Sequence, residues 1–242
     1  MNLTRWLAAV AAVLVAVAIG GLWYVFLRPA GPAPVNLSSP APGSSSAAAA
    51  PTLGPAPSPG GTAAAGIEGT WAVQASGSSF VGYRVQETLA GIGGNTAVGR
   101  TTNVTGTLTI TGTSVTQVEI TADLTTLRSD DDRRDGQLRD RGLETRTYST
   151  ATFKLDQPIE LGSVPVEGQV ADVTATGELT LHGVTKTVQI PLQARLSGGV
   201  IEVIGSLQVQ FADYGIVPPT SFIALSVEDH GTMELDLSFT RS

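Results

Sequence analysis

The stretch from Gly177 to Leu196 constrains this chain more than any other. Leu179 and Leu181 share one side of a first arm, and Val188, Ile190, Leu192, Ala194 and Leu196 share one side of a second. Thr185, Thr187, Gln189, Gln193 and Arg195 take the opposite side. Strict period two over that length means strands with one buried and one wet face, because successive side chains of a strand point to opposite sides. His182-Gly183 between the arms reads as the turn of a hairpin.

The same alternation recurs through residues 67–242. Val81, Tyr83 and Val85 share one face, as do Leu108 and Ile110, then Val118 and Ile120. Leu207, Val209 and Phe211 repeat the pattern, and so do Met233, Leu235, Leu237 and Phe239. Threonine fills many outward positions, which suits a solvated strand face. Short strands between Gly-containing turns indicate an all-β sandwich or barrel. Residues 129–148 break the pattern. They are dense in both signs of charge, and Ser129 or an adjacent aspartate is placed to cap a short helix that Gly142 ends. Such a helix among strands would plug or cover one end of a barrel.

Two segments precede the domain. Residues 6–27 are nearly all apolar, between Arg5 and Arg28, and match the roughly 20 residues needed to cross a bilayer. The run is long for a cleavable signal peptide, so residues 1–28 read as a single-pass signal anchor, with the C-terminal domain extracytoplasmic in the cell membrane. Residues 29–66 are Pro, Ala, Gly and Ser with almost nothing else. They lack the apolar surface to offset chain entropy and read as a disordered tether.

The domain holds all 21 acidic residues and all but two of the 14 Lys and Arg, so it is more acidic than the chain's net −7. That balance argues against nucleic acid, which needs a basic surface. The chain has no Cys, which excludes thiol chemistry. His182 and His230 both sit at turns with no second ligand at metal spacing, so no metal site is expected. Nothing resembles a nucleophile elbow, and no enzyme or cofactor is indicated. Charges in apolar register stand out more. Glu87 shares the face of Val81, Tyr83 and Val85, and Lys186 falls in the apolar register of its strand. Each either snorkels from a strand end or meets a polar group at a cavity mouth.

Four segments carry a family resemblance. Phe80 through Val85 looks like an opening strand. Arg134-Asp135-Gly136-Gln137-Leu138-Arg139, followed by Tyr148 through Phe153, resembles an R-D-x-H-L-R and Y-P-x-x-x-F stretch. Gly177 through Val188 is the strongest match, and Phe211 through Ile216 is similar to a D-F-G-I turn. In this order they resemble the YceI-like family, lipocalin-like barrels that bind polyisoprenoid lipids. The resemblance implies an extended antiparallel barrel of about eight strands with an apolar channel. Val81, Tyr83, Val85, Leu108, Ile110, Val118, Ile120, Leu138, Phe153, Leu179, Leu181, Val188, Ile190, Leu207, Val209 and Phe211 would line it. Glu87, Arg134, Asp135, Arg139 and Lys186 would frame its mouth. The ligand expected is an isoprenoid or other long-chain lipid. Glu87 and Gln137 stand where the family often has histidine, which points to a different head-group preference. A filled-core barrel acting as an adaptor or stress-related surface domain, binding a protein through residues 129–148, is the alternative. Pairing of two barrels into a homodimer is left open.

Overall fold

The computed structural model describes residues 32–37, 66–74, 79–91, 93–219 and 224–242. The expected anchor over residues 6–27 lies outside them, and among the described residues no helix is long and apolar enough to cross a membrane. In chain order the strands are β1 (Gly69–Val73), β2 (Phe80–Leu89), β3 (Gly93–Thr101), β4 (Val104–Thr111), β5 (Ser114–Asp123), β6 (Arg128–Ser129) and β7 (Thr150–Leu155). There follow β8 (Ile159–Glu160), β9 (Val170–Leu181), β10 (Val184–Ser197), β11 (Val200–Gln210), β12 (Ala224–Val227) and β13 (His230–Arg241).

Eight strands close a ring: β1, β4, β5, β7, β9, β10, β11 and β13 pair in that order, and β13 pairs back onto β1. All these pairings are antiparallel. Closure hides the unpaired edges that an open sheet would expose. One edge of β13 is shared. Phe239–Arg241 face β1, whereas Thr232–Asp236 face β2. Toward that second end β2 therefore takes the place of β1 and carries β3 and β6 outward with it.

The hairpin read from the sequence is β9 and β10, joined by His182 and Gly183, both at positive φ (52° and 75°). Two consecutive left-handed residues make a turn whose twist matches that of the flanking strands, and glycine takes the second position without a Cβ penalty. Inward apolar residues form two clusters. One holds Trp71, Val104, Leu108, Ile110, Ile120, Leu237 and Phe239; the other holds Leu179, Val209, Tyr214 and Ile216.

The break in alternation at 129–148 is a short helix, α1 (Asp132–Gln137), continued by a π-type turn over Leu138–Gly142. Asp131 is its cap, accepting from the backbone N–H groups of Arg133 and Arg134. The predicted tether is not wholly free of the barrel. Residues 32–37 lie against its exterior, where Arg84 Nη2 donates to the Pro32 carbonyl at 2.8 Å.

Candidate functional site

Two cavities occupy the barrel interior, of about 150 Å³ and 200 Å³. The smaller lies in the section closed by β1, between Leu108, Ile120, Phe153, Leu179, Ile190 and Leu237. Among the described residues on its wall, only Thr152 and Arg195 are polar. The larger lies under α1 and the segment Ile216–Pro219, against Tyr83, Val85, Leu138, Leu181, Val209 and Phe211. Val81, Ala151 and Met233 belong to both walls and form the waist between them. Along β13 the two walls run from Gly231 to Phe239. At about 3.4 Å per residue and a tilt near 40°, that is roughly 20 Å along the barrel axis. One leaflet of a bilayer core is about 15 Å thick. The interior thus matches a single slender chain somewhat longer than a leaflet.

The larger cavity ends in charge. Glu87 is 8% exposed and sits on the inner face of β2. Its Oε1 accepts from Arg134 Nη2 at 2.6 Å and from Asn95 Nδ2 at 2.7 Å, while Oε2 carries no hydrogen bond among the described residues. A buried carboxylate without such partners would be very costly. Arg134 Nη1 in turn bonds Asp130 Oδ1 at 2.6 Å and Ser129 Oγ at 3.3 Å. Burial alone would lower the Arg134 guanidinium, but the Glu87 carboxylate and the Asp130 hydrogen bond together hold it above its ordinary value. Asp131 and Arg133 also reach the wall, so the charged side chains there (Glu87, Asp131, Arg133 and Arg134) balance. Tyr83 lies beneath. Its hydroxyl is enclosed near Ser129, and burial pushes the phenol well above its usual range.

Of the expected channel residues, Val81, Leu108, Ile110, Val118, Ile120, Phe153, Leu179 and Ile190 lie on the smaller cavity's wall. Tyr83, Val85, Leu138, Leu181, Val209 and Phe211 lie on the larger one's. Val188 and Leu207 lie on neither; they pack against the cluster of Leu179 and Val209. Val188 faces Gly177 across the β9–β10 pair, and Leu207 faces Met233, which reaches both walls.

The expected mouth divides in the same way. Glu87 and Arg134 meet at the cavity. Asp135 does not face it: its carboxylate is buried behind α1, accepting from Ser129 N at 3.0 Å and Ser129 Oγ at 2.7 Å. Arg139 lies with Asp135 on a separate small side pocket. Lys186 is half-exposed and pairs with Asp213 Oδ1 at 2.8 Å, which ties the end of the hairpin to the Phe211–Tyr214 turn.

His182 and His230 serve no reactive arrangement. His182 Nδ1 bonds the Tyr214 carbonyl oxygen at 2.9 Å, and its ring lies 4.3 Å from that of Tyr148. It thereby clips together three of the segments that carry the family resemblance. His230 pairs with exposed Asp229, which raises its pKa. Among the described residues no cluster of His, Asp and Glu is arranged to hold a metal.

Sequence reasoning placed Ala194 on an apolar face but drew nothing from the small size of the inward alanines. Ala122, Ala151, Ala171, Ala175 and Ala194 all lie on the smaller cavity's wall. Alanine at alternate positions of otherwise bulky strands is the signal that the interior has room to spare.

A model of the YceI-like domain matches residues 71–239. A polyisoprenoid-binding domain from Saccharophagus degradans, described as implicated in plant cell wall breakdown, superposes with a TM-score of 0.54 at 21% identity. That match covers 72% of this chain and 98% of the other. BcnA from Burkholderia cenocepacia superposes with a TM-score of 0.53 at 17% identity, covering 69% and 98%. At these identities the likeness establishes the fold. No curated protein sequence matches the chain.

Proposed function

The chain belongs to the YceI-like family, and on that premise we propose that it binds a polyisoprenoid or similar long-chain amphiphile inside the barrel. The hydrocarbon occupies the two cavities, and the polar end stops at Glu87 and Arg134. The observation that carries this reading is a pair of largely apolar cavities that share Val81, Ala151 and Met233, the larger of which is lined by the buried Glu87–Arg134 ion pair. Burying apolar ligand surface there is worth about 25 cal/mol per Å², and a few polar groups fix orientation. The Saccharophagus relative's description as a polyisoprenoid-binding domain supports the same ligand class. The alternative, a filled barrel serving as an adaptor, has both cavities against it.

The charge balance selects the head group. A phosphate or diphosphate needs uncompensated cations, yet both terminal nitrogens of the buried Arg134 are already engaged, and the other wall cation, Arg133, is exposed. Among the described residues Glu87 Oε2 accepts no hydrogen bond. A neutral head bearing a hydroxyl would donate to it. The protein is therefore read as a binder of neutral amphiphiles rather than an enzyme. It is held to the membrane by residues 1–28, with the barrel extracytoplasmic.

The test is displacement of a fluorescent polyene probe by a prenyl alcohol and by its phosphate ester of equal chain length. The alcohol is expected to compete about tenfold better or more, since a hydrogen bond to a charged acceptor is worth about 1.5–3 kcal/mol. Glu87→Gln should narrow that gap. A phosphate ester that competes equally well counts against the head-group assignment. Failure of both compounds counts against the lipid reading itself.

A further inference from the structure

The exterior formed by β2, β3 and β13 differs from that of β10. Outward side chains of β10 such as Thr185, Thr187 and Gln189 are exposed. On β2, β3 and β13 the outward residues Phe80, Val98 and Glu234 are buried, Glu234 to 3% exposure. Arg84 grips Glu234 through Nε to Oε1 at 2.8 Å, and Arg100 Nη2 stands 3.7 Å from its Oε2. The Arg100 guanidinium also lies 3.9 Å from the Phe80 ring centroid.

The same two arginines reach outward. Arg84 Nη2 donates to the Pro32 carbonyl at 2.8 Å, and Arg100 Nη2 to the Ala33 carbonyl at 3.4 Å. Val35 and Leu37 are half-buried, while Pro32, Ala33, Pro34 and Asn36 are exposed, so one side of the segment rests on the barrel. The chemistry suits an extended Pro-containing peptide. Prolines lack an N–H that would need a ladder partner and pre-order the chain, which lowers the entropy cost of docking. Fixed guanidinium donors read the carbonyls.

We propose that this patch is a docking site for an extended Pro-containing segment, and that residues 32–37 of the same chain are its occupant, strapping the N-terminal tether to the barrel wall. A free chain over residues 29–66 would give the barrel a mean reach of roughly 35 Å from its anchor. With Pro32 docked, the link from Arg28 spans at most about 15 Å. The strap thus holds the barrel close to the bilayer that supplies its ligand. Docking stands on these contacts alone; its effect on reach rests on the anchor reading above.

The chain has no cysteine, so spin labels at Ala33→Cys and Thr187→Cys in the full-length protein report one distance. Docking predicts a narrow distance distribution that survives dilution with excess unlabelled protein. Adding Pro32→Gly, Pro34→Gly, Val35→Ser and Leu37→Ser, which leaves the barrel untouched, should broaden it. A distribution already as broad in the parent overturns the proposal. A narrow peak lost on dilution also overturns it, and assigns the patch to a second copy. In phosphatidylcholine vesicles, energy transfer from a Thr187→Cys label to a surface dye should fall in the four-substitution variant. Unchanged transfer with an intact narrow peak retains the docking and overturns the anchor-based consequence.

Discussion

The waist offers the sharpest perturbation. Ala151 lies on β7 and belongs to both cavity walls, with Val81 and Met233 as the other shared residues. Replacing it with Phe puts a ring across the passage. The smaller cavity extends along β13 from Met233 to Phe239, about 15 Å along the axis. A ligand chain shut out of that space forfeits about 0.8 kcal/mol per methylene. Losing even five methylene equivalents costs about 4 kcal/mol, near a thousandfold in Kd. The ring enters existing space, so thermal stability should hold; a filled waist would instead lose about 1–3 kcal/mol to overpacking. Titration of a long-chain fluorescent probe, paired with a thermal melt, reads both quantities. A well-folded Ala151→Phe protein that binds long chains as tightly as the parent refutes the passage. So does one that loses affinity equally for short chains confined to the larger cavity.

Three further outcomes follow from the geometry. A Cβ at Gly177 would lie 2.2 Å from the Lys154 carbonyl oxygen and 2.7 Å from Phe153, so Gly177→Ala should force β7 and β9 apart and cost roughly 1–3 kcal/mol in denaturant unfolding; an unchanged midpoint contradicts this. His182→Ala removes the bond to the Tyr214 carbonyl and the contact with Tyr148, so unfolding should ease by roughly 1–2 kcal/mol while probe binding holds; binding abolished in a folded protein would give His182 a direct role. Asp236 is raised above its ordinary value by burial, and by Glu202 nearby, with Arg100 opposing. The folded state therefore holds this proton more tightly than the unfolded chain does, and stability falls as pH rises from the ordinary aspartate value through the folded one. Asp236→Asn should raise Tm at neutral pH, with the gain shrinking as pH drops through that window; a gain that grows on acidification reverses the assignment.

Much of the barrel was legible because its strands bury one face. Alternation and the family resemblance together placed fourteen of the expected channel residues on a cavity wall. Alternation failed at Val188 and Leu207, because register assigns a side of the sheet and not a depth; both pack against the cluster of Leu179 and Val209 instead of reaching a cavity wall. Glu87 was legible as a charge in apolar register, but its partner was not. Arg134, Asp135 and Arg139 crowd one short helical stretch, and only the docking of α1 turns Arg134 to the cavity and Asp135 to Ser129. Lys186 misled for a related reason: at a strand end its long side chain leaves the apolar face and finds Asp213 outside. The tether's contact was invisible, since its composition carries no period and the arginines that hold it lie far along the chain.

A barrel that holds a long-chain amphiphile should carry one through purification. The direct measurement is organic extraction of the purified full-length protein, followed by mass spectrometry of the extract against a denatured, re-extracted control. The account predicts a stoichiometric neutral isoprenoid or similar long-chain lipid. An extract that stays empty after incubation with a total lipid pool contradicts it and returns the protein to the filled-core adaptor reading.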